Sequence, residues 1–111
     1  MSGWIGVDLD GTLAHYDGWA GPESIGAPVP KMVERVRRWL AEGREVRIFT
    51  ARASVPAQIQ PVKDWCRKHF GIELPVTNCK DFGMVELWDD RCVQVQPNTG
   101  ELVQDFWRHT L

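Results

Sequence analysis

No apolar run in this chain approaches the roughly 20 residues needed to span a bilayer. The N-terminus has no basic segment followed by an apolar one, so no signal peptide is expected. A basic surplus is also missing: 13 Lys and Arg stand against 15 Asp and Glu, for a formal charge of −2. Nonspecific nucleic-acid coating therefore has no electrostatic basis, although a local basic patch is compatible with these numbers. Cysteine is sparse. Cys66, Cys79 and Cys92 are odd in number and form no Cys-x-x-Cys pair. That argues against a disulfide framework or a zinc site and for a reducing cytoplasm. There is no internal repeat and no low-complexity tract. The 111 residues suit a single domain, 1–111, with one core.

What is present is concentrated near the start. Trp4 to Val7 is short and apolar, as a fully buried strand would be, and it runs into Asp8-Leu9-Asp10-Gly11-Thr12. A strand ending in Asp-x-Asp and breaking at Gly brings two carboxylates to one sheet edge. Burying that charge is costly unless something pairs with it.

The remaining elements alternate. Residues 14–28, rich in Gly and Pro, read as a long loop that forms a flap over the site. Pro30 suits a first helical turn, and Val29, Met32, Val33, Val36 and Leu40 share one face up to a stop at Gly43. Val46 to Thr50 is a strand. A second helix lies within Pro56 to Phe70, with Ile59, Val62 and Cys66 on one stripe and Pro61 obscuring its start. Pro75 to Thr77, Val85 to Trp88 and Cys92 to Gln96 supply three more strands. Pro97-Asn98-Thr99-Gly100 has turn chemistry, so residues 97–111 form a hairpin into Glu101 to Val103 followed by a short helical or irregular end, or Leu102, Val103, Phe106 and Trp107 instead share a short amphipathic helix. Trp39, Trp65 and Trp88 are expected in core packing, and so is Cys79.

This order predicts an α/β fold: a Rossmann-like three-layer sandwich around a mostly parallel five-stranded sheet. Ligands bind such sheets at the carboxyl ends of the strands. Three strand ends carry polar groups there: Asp8 with Asp10, Thr50, and Asp89 with Asp90. Four carboxylates at one edge repel unless a cation is present. Oxygen ligands without His or Cys favour Mg²⁺ over Zn²⁺. Thr50 adds a hydroxyl donor, Gly11 allows backbone N–H groups close to an anion, and Lys80 is a candidate cation. Together they compose a phosphate site. An aspartate there can also attack phosphorus, which needs one ionised carboxylate and one carboxyl that moves a proton. Asp8 is read as the nucleophile. Asp10, turned back at Gly11, is the general acid/base and needs a raised pKa.

These residues resemble the four motifs of the haloacid dehalogenase (HAD) superfamily of phosphotransferases, in family order over about Gly3 to Val95. Asp8 to Thr12 match the first motif, Thr50 in Phe49-Thr50-Ala51-Arg52 the second, Lys80 the third, and Asp89-Asp90 the fourth. The resemblance implies Mg²⁺ on the Asp8 carboxylate, the Asp10 backbone carbonyl and Asp89, with Asp90 in support. It implies phosphoryl binding by Thr50, Ala51, Gly11 and Lys80. No gap has room for a cap domain, so the site is expected to be open unless a partner subunit covers it. Asp-Gly-Thr-Leu-Ala and Asp-Asp-Arg are also similar to the phosphatase half of polynucleotide kinase-phosphatases.

The implied activity is a Mg²⁺-dependent phosphomonoester hydrolase. Its substrate is a phosphorylated small molecule or nucleotide, or the 3′-phosphate of an oligonucleotide end. An oligomer is compatible with this reading. Arg52 either contacts substrate or faces water. His15, Tyr16 and Trp19 either form part of the flap or merely anchor the loop. Asp90-Arg91 can also be read as a surface ion pair. A catalytically silent phosphate- or nucleotide-binding module is the alternative. A receiver-type signalling domain fits less well, because the third strand ends without an Asp.

Overall fold

The computed structural model describes residues 2–103. Strand β1 (Trp4–Val7) is buried along its whole length and lies inside the sheet. Helix α1 (Pro30–Ala41) follows, with Pro30 in its first turn, where a missing N–H costs nothing. Met32, Val33 and Val36 are buried at helical spacing. Strand β2 (Glu45–Phe49) buries Val46 and Ile48, alternate residues on one face. A 3₁₀ turn and a shorter one precede helix α2 (Ile59–Phe70). Pro61 is therefore in the first turn of α2, again harmlessly. The helix ends at Gly71, whose φ of 80° gives the left-handed stop that favours glycine. Strands β3 (Val76–Thr77) and β4 (Met84–Trp88) complete the order.

The sheet runs β3-β2-β1-β4 with every pairing parallel. It has four strands, not the expected five. Of Cys92 to Gln96, Val95 alone makes a bridge, antiparallel to Leu102. The Pro97–Gly100 turn does close a hairpin there, with Gln96 N–H donating to the Glu101 carbonyl at 2.8 Å. Leu102 and Val103, read alternatively as part of a helix, belong to this hairpin, and the Phe106 and Trp107 of that alternative lie outside the described residues.

Both helices pack on the face that carries Ile5, Val7, Val46 and Ile48, forming one apolar core with Leu9, Leu13, Cys66 and Leu74. Trp65 is part of that core, and Trp39 and Trp88 pack against it. The expected third layer is not found among the described residues. Residues 78–83 join β3 to β4 across the opposite face without a helix. Six residues suffice for the crossing but not for a stable helix as well. They cover Trp4, whose Nε1–H donates to Asp81 at 2.8 Å while Arg47 lies 4.5 Å over its ring. Cys79 is on this segment and is exposed, not packed as expected.

From β1 the chain winds outward through β2 to β3, then returns to the other side of β1 for β4. The carboxyl ends of β1 and β4 thus flank the point where the winding reverses, the place in an open α/β sheet where a ligand fits.

Candidate functional site

Asp8 follows β1 directly, and its backbone N–H donates to the carbonyl of Trp88 at 2.9 Å. This bond aligns the end of β1 with the end of β4. Asp8, Asp89 and Asp90 consequently offer carboxylate oxygens that all lie within 4.8 Å of one another. Thr12 braces the arrangement. Its hydroxyl donates to Asp90 Oδ1 and accepts from the Asp90 backbone N–H, both at 2.9 Å. Arg91 N–H donates to Asp89 Oδ1 at 2.8 Å. Gly11 contributes space: a Cβ there would meet Asp90 Oδ2 at 2.6 Å, and its φ of 93° is unfavourable for other residues. Of the backbone N–H groups that Gly11 lets approach an anion, its own is already engaged. Its N–H is used inside the turn, on the Ala14 carbonyl at 2.8 Å.

Without a metal, the Asp8 pKa is pushed up to about 8. Burial is the main cause, followed by the charge of Asp89 and then a hydrogen bond with Asp90. The raised pKa thus belongs to Asp8, the carboxyl read as the nucleophile. Three converging oxygen ligands suit a hard divalent cation. The Asp10 side chain is not one of them.

Asp10 instead meets Arg52, which donates from Nε to Oδ2 at 2.8 Å and from Nη2 to Oδ1 at 2.9 Å. Arg52 does not face bulk water, although it lines a cavity shared with Asp8 and Asp10. It is 4% exposed, and its remaining donors reach the carbonyls of Pro22 at 3.1 Å and Ser24 at 3.0 Å. Trp19 closes over it, with the guanidinium 4.8 Å from the ring centroid. Charge, geometry and loop chain are tied together by one side chain. The only hint in the sequence was an Arg immediately past the Thr50 corner.

Arg52 is positioned by its own backbone. Thr50 follows β2 directly, is buried, and accepts the Arg52 N–H on its hydroxyl at 3.2 Å, starting the 3₁₀ turn Ala51–Ser54. The loop at 14–28 is anchored at its base by the Ala14–Pro28 bridge and by His15 N–H to the Ala27 carbonyl at 2.8 Å. Trp65 of α2 donates from Nε1 to the Gly26 carbonyl at 3.0 Å.

A cavity of about 620 Å³ opens between these elements. Asp8, Asp10, Asp89 and Asp90 line it, as do Thr50, Ala51 and Arg52. Tyr16 and Trp19 of the loop line it too, but His15 does not; it is exposed and pairs with Asp17 at 3.0 Å. Lys80 is exposed on the 78–83 segment and is not among the lining residues. The lining cation besides Arg52 is Arg91; the alternative reading of Asp90–Arg91 as a surface ion pair is not among the ion pairs of the described residues.

No family model matches the chain, and no curated protein does. Among solved structures it is similar to one described as the structure of a conserved protein from Bacteroides thetaiotaomicron. The TM-score is 0.63 at 22% identity, over 88% of this chain and 84% of that one. At that identity the likeness bears on the fold alone. No helix among the described residues is long and apolar enough to cross a membrane.

Proposed function

We propose that the protein is a Mg²⁺-dependent phosphomonoester hydrolase of the haloacid dehalogenase superfamily, with a Rossmann-like fold, no cap and a cytoplasmic setting. One observation carries this reading. Asp8, Asp89 and Asp90 converge at the reversal point of a parallel sheet, in a cavity shared with Thr50. The order of the four sequence motifs supports it independently.

Asp8, Asp89 and Asp90 would hold Mg²⁺. When bound, the ion offsets phosphate charge and favours the ionised form of Asp8. In the first half-reaction an Asp8 oxygen attacks phosphorus, the ester P–O bond breaks, and the leaving oxygen takes a proton from Asp10. In the second, water attacks the aspartyl-phosphate and gives its proton to Asp10, releasing phosphate and restoring Asp8. Both Asp10 oxygens accept from Arg52, which suits the second half-reaction, where Asp10 receives a proton. Acid duty in the first half requires one of those two bonds to open. The Thr50 hydroxyl and Arg91 are the groups available to the phosphoryl oxygens.

The same clasp on Asp10 favours a second reading, a phosphate-binding module without turnover. Phosphate release from a panel of esters separates the two. Hydrolysis that needs Mg²⁺ and disappears in Asp8→Asn supports the enzyme. Binding of Mg²⁺ and phosphate without turnover supports the module.

A further inference from the structure

We infer that the loop wall formed by Trp19 and Tyr16 is a subsite for a planar, uncharged leaving group, and that the substrate is a nucleoside monophosphate. This rests on the phosphatase reading for its chemistry but on separate residues for its evidence. Trp19 is 54% exposed and Tyr16 40% exposed, yet both line the cavity that contains Asp8. One exposed aromatic on a mobile loop would carry no meaning. Here the loop is held in place. A buried guanidinium grips its Pro22 and Ser24 carbonyls and lies against the Trp19 ring. Gly18 and Gly21, with φ of 133° and 105°, let the chain turn sharply on either side of Trp19. The ring is thus preorganised, with about half its surface open, and a base can stack on it without the cost of ordering the wall.

Charge narrows the class. Four carboxylates line the cavity against two guanidiniums, and Arg52 is committed to Asp10. Among the described lining residues Arg91 is the one guanidinium left for the phosphoryl oxygens, and none remains to meet further negative charge. Di- and triphosphates, bisphosphates and nucleic-acid ends, each with extra anions, are disfavoured by repulsion. A neutral nucleoside is not.

The test compares binding of a nucleoside phosphonate, in which carbon replaces the bridging oxygen so that no turnover occurs, with binding of propylphosphonate. Both are measured by calorimetry with Mg²⁺ on the full chain. The subsite predicts tighter binding of the nucleoside compound by about tenfold or more, a ratio that falls to within about threefold in Trp19→Leu. Trp19 lies outside the core, so the variant should fold, and its circular dichroism checks this. Equal affinities in the wild type overturn the subsite. So does tighter binding of a phosphonate-ended dinucleotide than of the mononucleotide, because it points to a nucleic-acid end. The hydrolase reading fails separately: if no ester is turned over but the affinity ratio stands, the subsite survives and the enzyme does not.

Discussion

Asp8→Asn should stabilise the metal-free protein, by an amount that depends on pH. In the wild type the Asp8 carboxyl is raised to about 8, against an ordinary value of 3.8. The folded state therefore keeps a proton on Asp8 that the unfolded chain has already lost. Between these two values the native state binds more protons than the unfolded state, so stability falls as pH rises from about 4 to about 8 and then levels off. Asparagine keeps the shape without titrating. Burial is the largest cause of the shift, and the coulombic part of its size follows from the spacing of the carboxylates. Unit charges 4.8 Å apart repel by about 0.9 kcal/mol in water and by roughly 3.5 kcal/mol at a dielectric near 20. Asp8 is half-buried, so solvent screening argues for the lower part of that range, about 1–2 kcal/mol. At roughly 4–8 °C per kcal/mol for a domain of this size, the variant should melt about 4–16 °C above wild type near pH 8.5 in a chelator, and the gap should shrink towards pH 5. Thermal denaturation followed by circular dichroism reads this directly. Mg²⁺ should then raise the wild-type Tm and leave that of the variant nearly unchanged. A gap that does not vary with pH, or a variant less stable than wild type near pH 8.5, would refute this account of Asp8.

Three other perturbations probe different parts of the structure. Arg52→Ala leaves the Asp10 carboxylate without its partner and the Pro22 and Ser24 carbonyls without a donor; a loss of about 3–5 kcal/mol in chemical denaturation is expected, with faster proteolysis within residues 14–28. Gly11→Ala drives a methyl into Asp90 at a φ of 93°, so Mg²⁺ affinity by calorimetry should drop by about tenfold or more, consistent with a displaced ligand. Cys66 is buried and its thiol is pushed up to about 11, whereas Cys79 is exposed; a thiol reagent on the native protein should modify Cys79 well before Cys66.

The acidic convergence was legible in sequence because it follows from topology. Carboxylates placed at the ends of strands that later pair in parallel must meet at one sheet edge, whatever the intervening chain does. The two helical stripes were legible for the same kind of reason, since Val33 and Val36, or Val62 and Cys66, have no other way to leave water. The Arg52–Asp10 pair was not legible. It depends on a 3₁₀ turn started by Thr50 and on the path of loop carbonyls 28 and 30 residues upstream, and no local periodicity records either. The third layer was over-read from the α/β order alone. The interval from Thr77 to Met84 holds only the 78–83 crossing, and that length excludes a helix. Lys80 went with it: an amine expected at the strand edge lies on the crossing segment, while Arg91, which the sequence also allows as half of a surface pair, lines the cavity. The fifth strand had suitable residues in Val93 and Val95, but both remain exposed and Val95 alone bridges.

The central claim is that Asp8 is a metal-assisted nucleophile toward phosphorus, and phosphate release from a panel of monoesters tests it most directly. Turnover that requires Mg²⁺, falls to background in Asp8→Asn, and leaves a transient acid-stable phosphoryl group on Asp8 after rapid quenching is the predicted result. Turnover that persists in Asp8→Asn, or a phosphoryl group trapped on another residue, would contradict it.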